Sequence, residues 1–130
     1  MRTIKFRGKG SIAGNWFYGN LYIDMHGCTH IFSLEVGGLD VDPETVGQFT
    51  GLYDCNGNKI YEGDIVEWEK DGLMYVVRFW CGKFFASVQE CNEGILGGFS
   101  LHALTEYEYK KCKIIGNIYD NPELLKGGEK

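Results

Sequence analysis

A mainly β fold of short strands and tight turns is what this sequence predicts, and three observations predict it. Aromatic residues make up 15% of the 130-residue chain, with 19 glycines against 2 prolines, a composition that suits strands and turns over long helices. Short runs alternate in hydrophobicity with a period of two, as in Met74 to Trp80. Turn signals punctuate those runs at Asn56-Gly57, Glu62-Gly63-Asp64 and Lys70-Asp71-Gly72.

The elements follow in order. Residues 2–8 read as a strand with Ile4 and Phe6 on one face and Lys5 and Arg7 on the other. Lys5, Arg7 and Lys9 would share a solvated outer face that also discourages edge pairing. Trp16-Phe17-Tyr18 and Leu21-Tyr22-Ile23 read as strands split by a bend at Gly19-Asn20, and Thr29 to Val36 as another strand closed by Gly37-Gly38. Asp42-Pro43-Glu44 is a helix start, with a capping carboxylate, a proline shaped for the first position and an acid at the positive dipole end. Gly47 limits it to one turn.

Beyond Gln48 the strands come quickly: 48–53, 59–61, 64–69, 74–80 and 83–88, then a loop over 89–98, a helical turn or irregular strand over 101–109, and a strand over 113–118. In 74–80 both faces are largely apolar, which places that strand mid-sheet. Asn121-Pro122-Glu123 repeats the helix-start chemistry. Strands of this length and spacing predict an SH3-like barrel or roll formed by roughly residues 46–120, within a domain of residues 46–125. Residues 1–45 would be a β-rich segment on or beside it, and 126–130 a frayed tail.

The net charge of −5 disfavours a nucleic-acid partner, which usually meets a basic surplus. No signal peptide or apolar span of about 20 residues is present, so a soluble intracellular protein with no membrane partner is expected. The five cysteines (Cys28, Cys55, Cys81, Cys91, Cys112) form no CxxC pair, which argues for free thiols.

Several motifs carry a more specific resemblance. Val41-Asp42-Pro43-Glu44-Thr45-Val46-Gly47-Gln48-Phe49-Thr50-Gly51-Leu52, then Asn56-Gly57, then Ile60-Tyr61-Glu62-Gly63-Asp64-Ile65-Val66 are one set. Ile114 to Leu125 and, near the start, Ile4 to Arg7 and Trp16 to Gly19 are the others. In this order, over nearly the whole chain, the sequence resembles the YopX family of small phage and prophage proteins. The resemblance implies an SH3-like roll at the C-terminal side, a phage or prophage origin and the cytoplasm of a bacterial host. It carries over no catalytic or binding residues. The chain departs from the family pattern at Cys55, where a polar residue is usual, and in the glycine-rich stretch 94–98.

Candidate chemistry is sparse. His26, Cys28 and His30 would point one way from an extended strand, and imidazole with thiolate suits zinc or copper. A fourth ligand (Cys55, Cys91 or His102) would have to come from afar, so a half-exposed strand is the favoured reading, with no metal or other cofactor. No cysteine or serine sits in a nucleophile context, and Asp54, Glu62 and Asp64 read as turn formers rather than an acid–base pair. No catalytic residue is assigned. The densest aromatic stretch, Trp68 to Phe85, must fill a core and also send side chains outward. Trp68, Tyr75 and Trp80 are the expected interaction surface. The expected function is a non-enzymatic module that contacts another protein, either a second copy of itself or a phage or host factor, with a nucleic-acid accessory role as the alternative.

Overall fold

The computed structural model describes residues 3–69, 72–80, 82–89, 96–100 and 111–127. The chain divides into two compact units, Met1–Gly51 and Leu52–Lys130.

In the first unit, strands β1 (Phe6–Lys9), β2 (Trp16–Ile23), β3 (Thr29–Ser33), β4 (Gly37–Asp40) and β5 (Gly47–Tyr53), whose last two residues already belong to the second unit, build an antiparallel sheet. Their order is β4-β3-β2-β1-β5. The expected break at Gly19-Asn20 does not occur, and β2 runs through it. Gly19 instead permits a close approach: a Cβ there would lie 2.2 Å from the carbonyl oxygen of Phe32 on β3. Arg7 also differs from the expected solvated cation. It is buried, with its guanidinium 4.6 Å from the centre of the Trp16 ring, so its charge rests on an aromatic face. The capped segment after β4 forms one 3-10 turn, Pro43–Thr45, in which the Asp42 carboxylate accepts the Glu44 amide at 3.0 Å.

The second unit holds β6 (Lys59–Tyr61), β7 (Asp64–Trp68), β8 (Met74–Trp80), β9 (Lys83–Gln89), β10 (Leu96–Ser100), β11 (Cys112–Asn117) and a short helix, Glu123–Gly127. An antiparallel sheet has the order β10-β9-β8-β7-β11. Residues 96–98, expected in a loop, begin β10, while the segment 101–109 lies outside the described residues. Ile60, Val66, Trp68, Tyr75, Val77, Phe84, Ala86 and Cys112 form the core cluster. Val76, on the opposite face of β8 from Tyr75 and Val77, is buried too, as the two-sided apolar pattern requires.

The fold is mainly β as expected, but its strands form two antiparallel sheets and not a closed barrel. Closure demands one mutually consistent stagger of all the strands, and no local pattern of turns or alternation encodes that.

Candidate functional site

The aromatic surface expected on β7 and β8 is corrected by burial. Trp68 and Tyr75 are only 7% and 6% exposed, packed edge to face with ring centres 6.1 Å apart. They are core side chains, because β7 and β8 are central strands covered on the face these rings occupy. The side chain of Trp80 lies outside the described residues. Phe79, on the same face of β8 as Tyr75 and Val77, is half exposed near the strand end.

The described structure gathers polar chemistry elsewhere, on the face of the β2-β3-β4 sheet. Register pairs Tyr22 with His30 and His30 with Asp40, so three side chains from adjacent strands stand in one row. Two residues along, the next row on that face is Asn20, Phe32 and Gly38. Together with Leu21 these residues line a recess of about 560 Å³. The Tyr22 and His30 rings are 5.8 Å apart, centre to centre.

His30 is held from two sides. Its Nε2 lies 2.9 Å from Asp24 Oδ2, and its Nδ1 lies 2.7 Å from Asp40 Oδ1. A neutral imidazole has one N–H, so serving two carboxylate acceptors calls for the doubly protonated ring. The Asp24 hydrogen bond chiefly raises the His30 pKa above its ordinary value. Partial burial opposes this, and the charge of Asp40 adds to it. Reciprocally, the His30 bond, with the Cys28 amide next, holds the Asp24 carboxyl below its usual range. Both ring nitrogens are engaged, so the arrangement stores a compensated charge and presents no ring nitrogen to a substrate.

The same geometry corrects the reasoning about His26, Cys28 and His30. Only His30 lies on a strand; His26 and Cys28 belong to the hairpin turn before β3. Their amides donate to Asp24 Oδ1 at 2.9 and 3.0 Å, so the premise that three ligands share a strand face is not met. Among the described residues no cluster of three such side chains is arranged to hold a metal ion.

That turn has a twin in the second unit. Asp24-Met25-His26-Gly27-Cys28 and Asp54-Cys55-Asn56-Gly57-Asn58 share the backbone hydrogen bonds of the loop. The first-residue amide bonds the fifth carbonyl at 3.0 and 2.9 Å, the glycine amide bonds the Asp carbonyl at 3.0 Å in both, and Oδ1 takes the third and fifth amides. Gly27 and Gly57 have φ of +84° and +81°, where a side chain would be strained. Asn56-Gly57 is therefore not the centre of a two-residue turn. Asp54 opens the turn and Gly57 closes it, a three-residue loop with a glycine bulge.

The free oxygen separates the twins: Asp24 Oδ2 meets His30, while Asp54 Oδ2 accepts the Ile114 amide of β11 at 3.0 Å. Burial pushes the Asp54 carboxyl up, but the Ile114, Asn58 and Asn56 amides outweigh it and leave it below its ordinary value. Asp64, also buried, accepts the Tyr61 amide at 2.7 Å across the Glu62-Gly63 turn. Asn117 Oδ1 accepts the amides of Tyr119 and Asp120 before the last helix. Asp54, Gly57, Asp64 and Asn117 of the fingerprint thus hold turns, as their types suggest.

Sequence reasoning missed the His30 cluster because its members are six and ten residues apart and meet only through strand register. The retrievable signal was the repeated Asp-x-x-Gly-x loop. Among the described residues no helix is long and apolar enough to cross a membrane.

Comparison with known proteins agrees with this picture. The crystal structure of protein EF1440 from Enterococcus faecalis has the same fold, with a TM-score of 0.60 and 21% sequence identity over 96% of this chain and 99% of that one. No curated protein matches the chain. The sequence profile described as YopX protein matches residues 5–126, nearly the whole length and every turn described above. The chain belongs to the YopX protein family.

Proposed function

We propose that this is a phage- or prophage-encoded, non-enzymatic protein-interaction module acting in the cytoplasm of a bacterial host. One observation carries the reading. Nine of the twelve large apolar side chains exposed among the described residues fall between Ile4 and Val36, including Ile12, Met25 and Leu34. Scattered exposed apolar groups are ordinary, but such a concentration in one small unit supports a contact surface there. The acidic balance and the stacking of Arg7 on Trp16 favour a protein partner over nucleic acid.

The test is association of the full chain, followed by light scattering over a concentration series and by co-purification from nuclease-treated host lysate. Either a concentration-dependent oligomer or a stoichiometric protein partner is expected, lost in the Met25→Asp/Leu34→Asp double variant. Retention on a DNA or RNA column that falls steeply with salt would overturn the reading in favour of a nucleic-acid accessory role.

A further inference from the structure

We propose that the recess on the β2-β3-β4 face binds a cationic side chain, arginine or lysine, of a partner protein. This rests on the interaction-module reading and names the chemistry of one contact within it.

The walls of the recess are aromatic. Tyr22 and Phe32 are both exposed large apolar side chains, and their ring faces attract a cation held within about 6 Å. Gly38 keeps the space beside Phe32 open: a Cβ added there would lie 4.0 Å from Phe32 Cδ2, and any longer side chain would intrude on the recess. At one end stands Asp40, whose side chain is 72% exposed while its Oδ1 holds His30. The carboxylate is therefore reachable from solvent and already fixed in position. Asn20 adds an uncharged polar residue to the lining.

Charge selects the ligand. With His30 doubly protonated, the Asp24, His30 and Asp40 cluster carries one net negative charge, in a chain of net charge −5. Both N–H groups of His30 point at carboxylates, so an anion entering the recess would meet carboxylate oxygen without an imidazolium donor. A neutral aromatic ligand would cover the exposed Asp40 carboxylate without a donor for it. An alkyl-stemmed cation satisfies both walls, laying its stem on the rings and its head against Asp40.

The groups facing His30 are Asp24 from the turn, Asp40 from β4 and the Tyr22 ring from β2. When His30 loses its proton, the cluster gains a negative charge. Cation affinity then rises with pH through the His30 titration.

The experiment is an NMR titration of the isotope-labelled full chain with acetyl-Gly-Arg-Gly-amide, its lysine analogue and its glutamine analogue. Saturable shifts at Gly38, His30 and Tyr22 are expected with the two cationic peptides only. Asp40→Asn is expected to weaken binding roughly two- to fivefold, the range for one exposed charge contact. Tyr22→Leu, which keeps apolar cover without the ring face, is expected to weaken it by a similar factor. Binding is expected to strengthen as pH rises past the His30 midpoint, and His30→Gln to remove that step. Equal shifts with the glutamine peptide, or unchanged affinity in Asp40→Asn, overturn the proposal. Partner capture that survives Asp40→Asn but not Met25→Asp/Leu34→Asp, alongside absent peptide binding, overturns this proposal alone. Peptide binding without any partner or oligomer overturns the broader reading alone.

Discussion

Replacing Asp54 by alanine removes three backbone-amide hydrogen bonds at once, because one carboxylate serves the Asn56 and Asn58 amides at 2.9 Å and the Ile114 amide at 3.0 Å. The two turn amides belong to exposed residues, so water recovers part of the loss, leaving about 0.5–1 kcal/mol each as at a helix cap. The Ile114 amide lies in a half-buried part of β11, where losing a charged acceptor costs about 1.5–3 kcal/mol. The total is about 2.5–5 kcal/mol. In urea, with a slope of about 2 kcal/mol per molar, the midpoint should fall by about 1.3–2.5 M. Tryptophan fluorescence is a suitable probe, since Trp68 sits in the same core. Asp24→Ala is the internal control: the same turn, with its amides on exposed residues and its other oxygen bonded only to the nearby His30 side chain, not to a backbone amide of a distant strand, so its midpoint should move less. The pH dependence has a definite sign. Because the folded Asp54 pKa is depressed, its stabilisation is present above the unfolded value near 3.8 and lost as pH falls through the lower folded value. Asp54→Asn should lack that acid-side loss. Equal, small shifts for Asp54→Ala and Asp24→Ala would refute the reasoning, since burial of the third bond is what distinguishes them.

Other outcomes follow from the same contacts. Gly19→Ala should destabilise by roughly 2–4 kcal/mol in thermal or urea unfolding, because the new Cβ would sit 2.2 Å from a backbone oxygen. Trp68→Ala should cost about 3–5 kcal/mol by the same measurement, whereas an interaction-surface tryptophan would leave stability nearly unchanged. The Cys112 thiol is pushed up to about 12, first by burial and then by the Asp54 charge and Cys55. Iodoacetamide at pH 8 followed by peptide mass mapping should therefore modify exposed Cys28 and Cys55 well before Cys112. The His30 ring signal should titrate above 6.5 and move down in Asp24→Asn, since its principal partner is then neutral. The stabilisation from that raised pKa is complete below the unfolded value of 6.5 and fades as pH rises through the folded one.

The features legible from the residues alone are local. Turn chemistry set the Asp42-Pro43 cap, the glycine-closed loop after Asp54 and the bend at Gly63, because the shortest contacts there join residues two to four apart. Alternation placed β7 and β8 and their apolar faces, because side-chain direction along a strand repeats every two residues. Together these local features are also what identify the family. Tertiary structure alone decided how the strands associate. Two sheets formed where a barrel was expected, Gly19 served a close approach instead of a bend, and Arg7 went under Trp16 instead of into water. It also decided which aromatics are covered, burying Trp68 and Tyr75, and it brought Asp24, His30 and Asp40 together. Each of these depends on register between segments distant along the chain, and pairing across strands is a property of three-dimensional neighbours that no run of consecutive residues specifies.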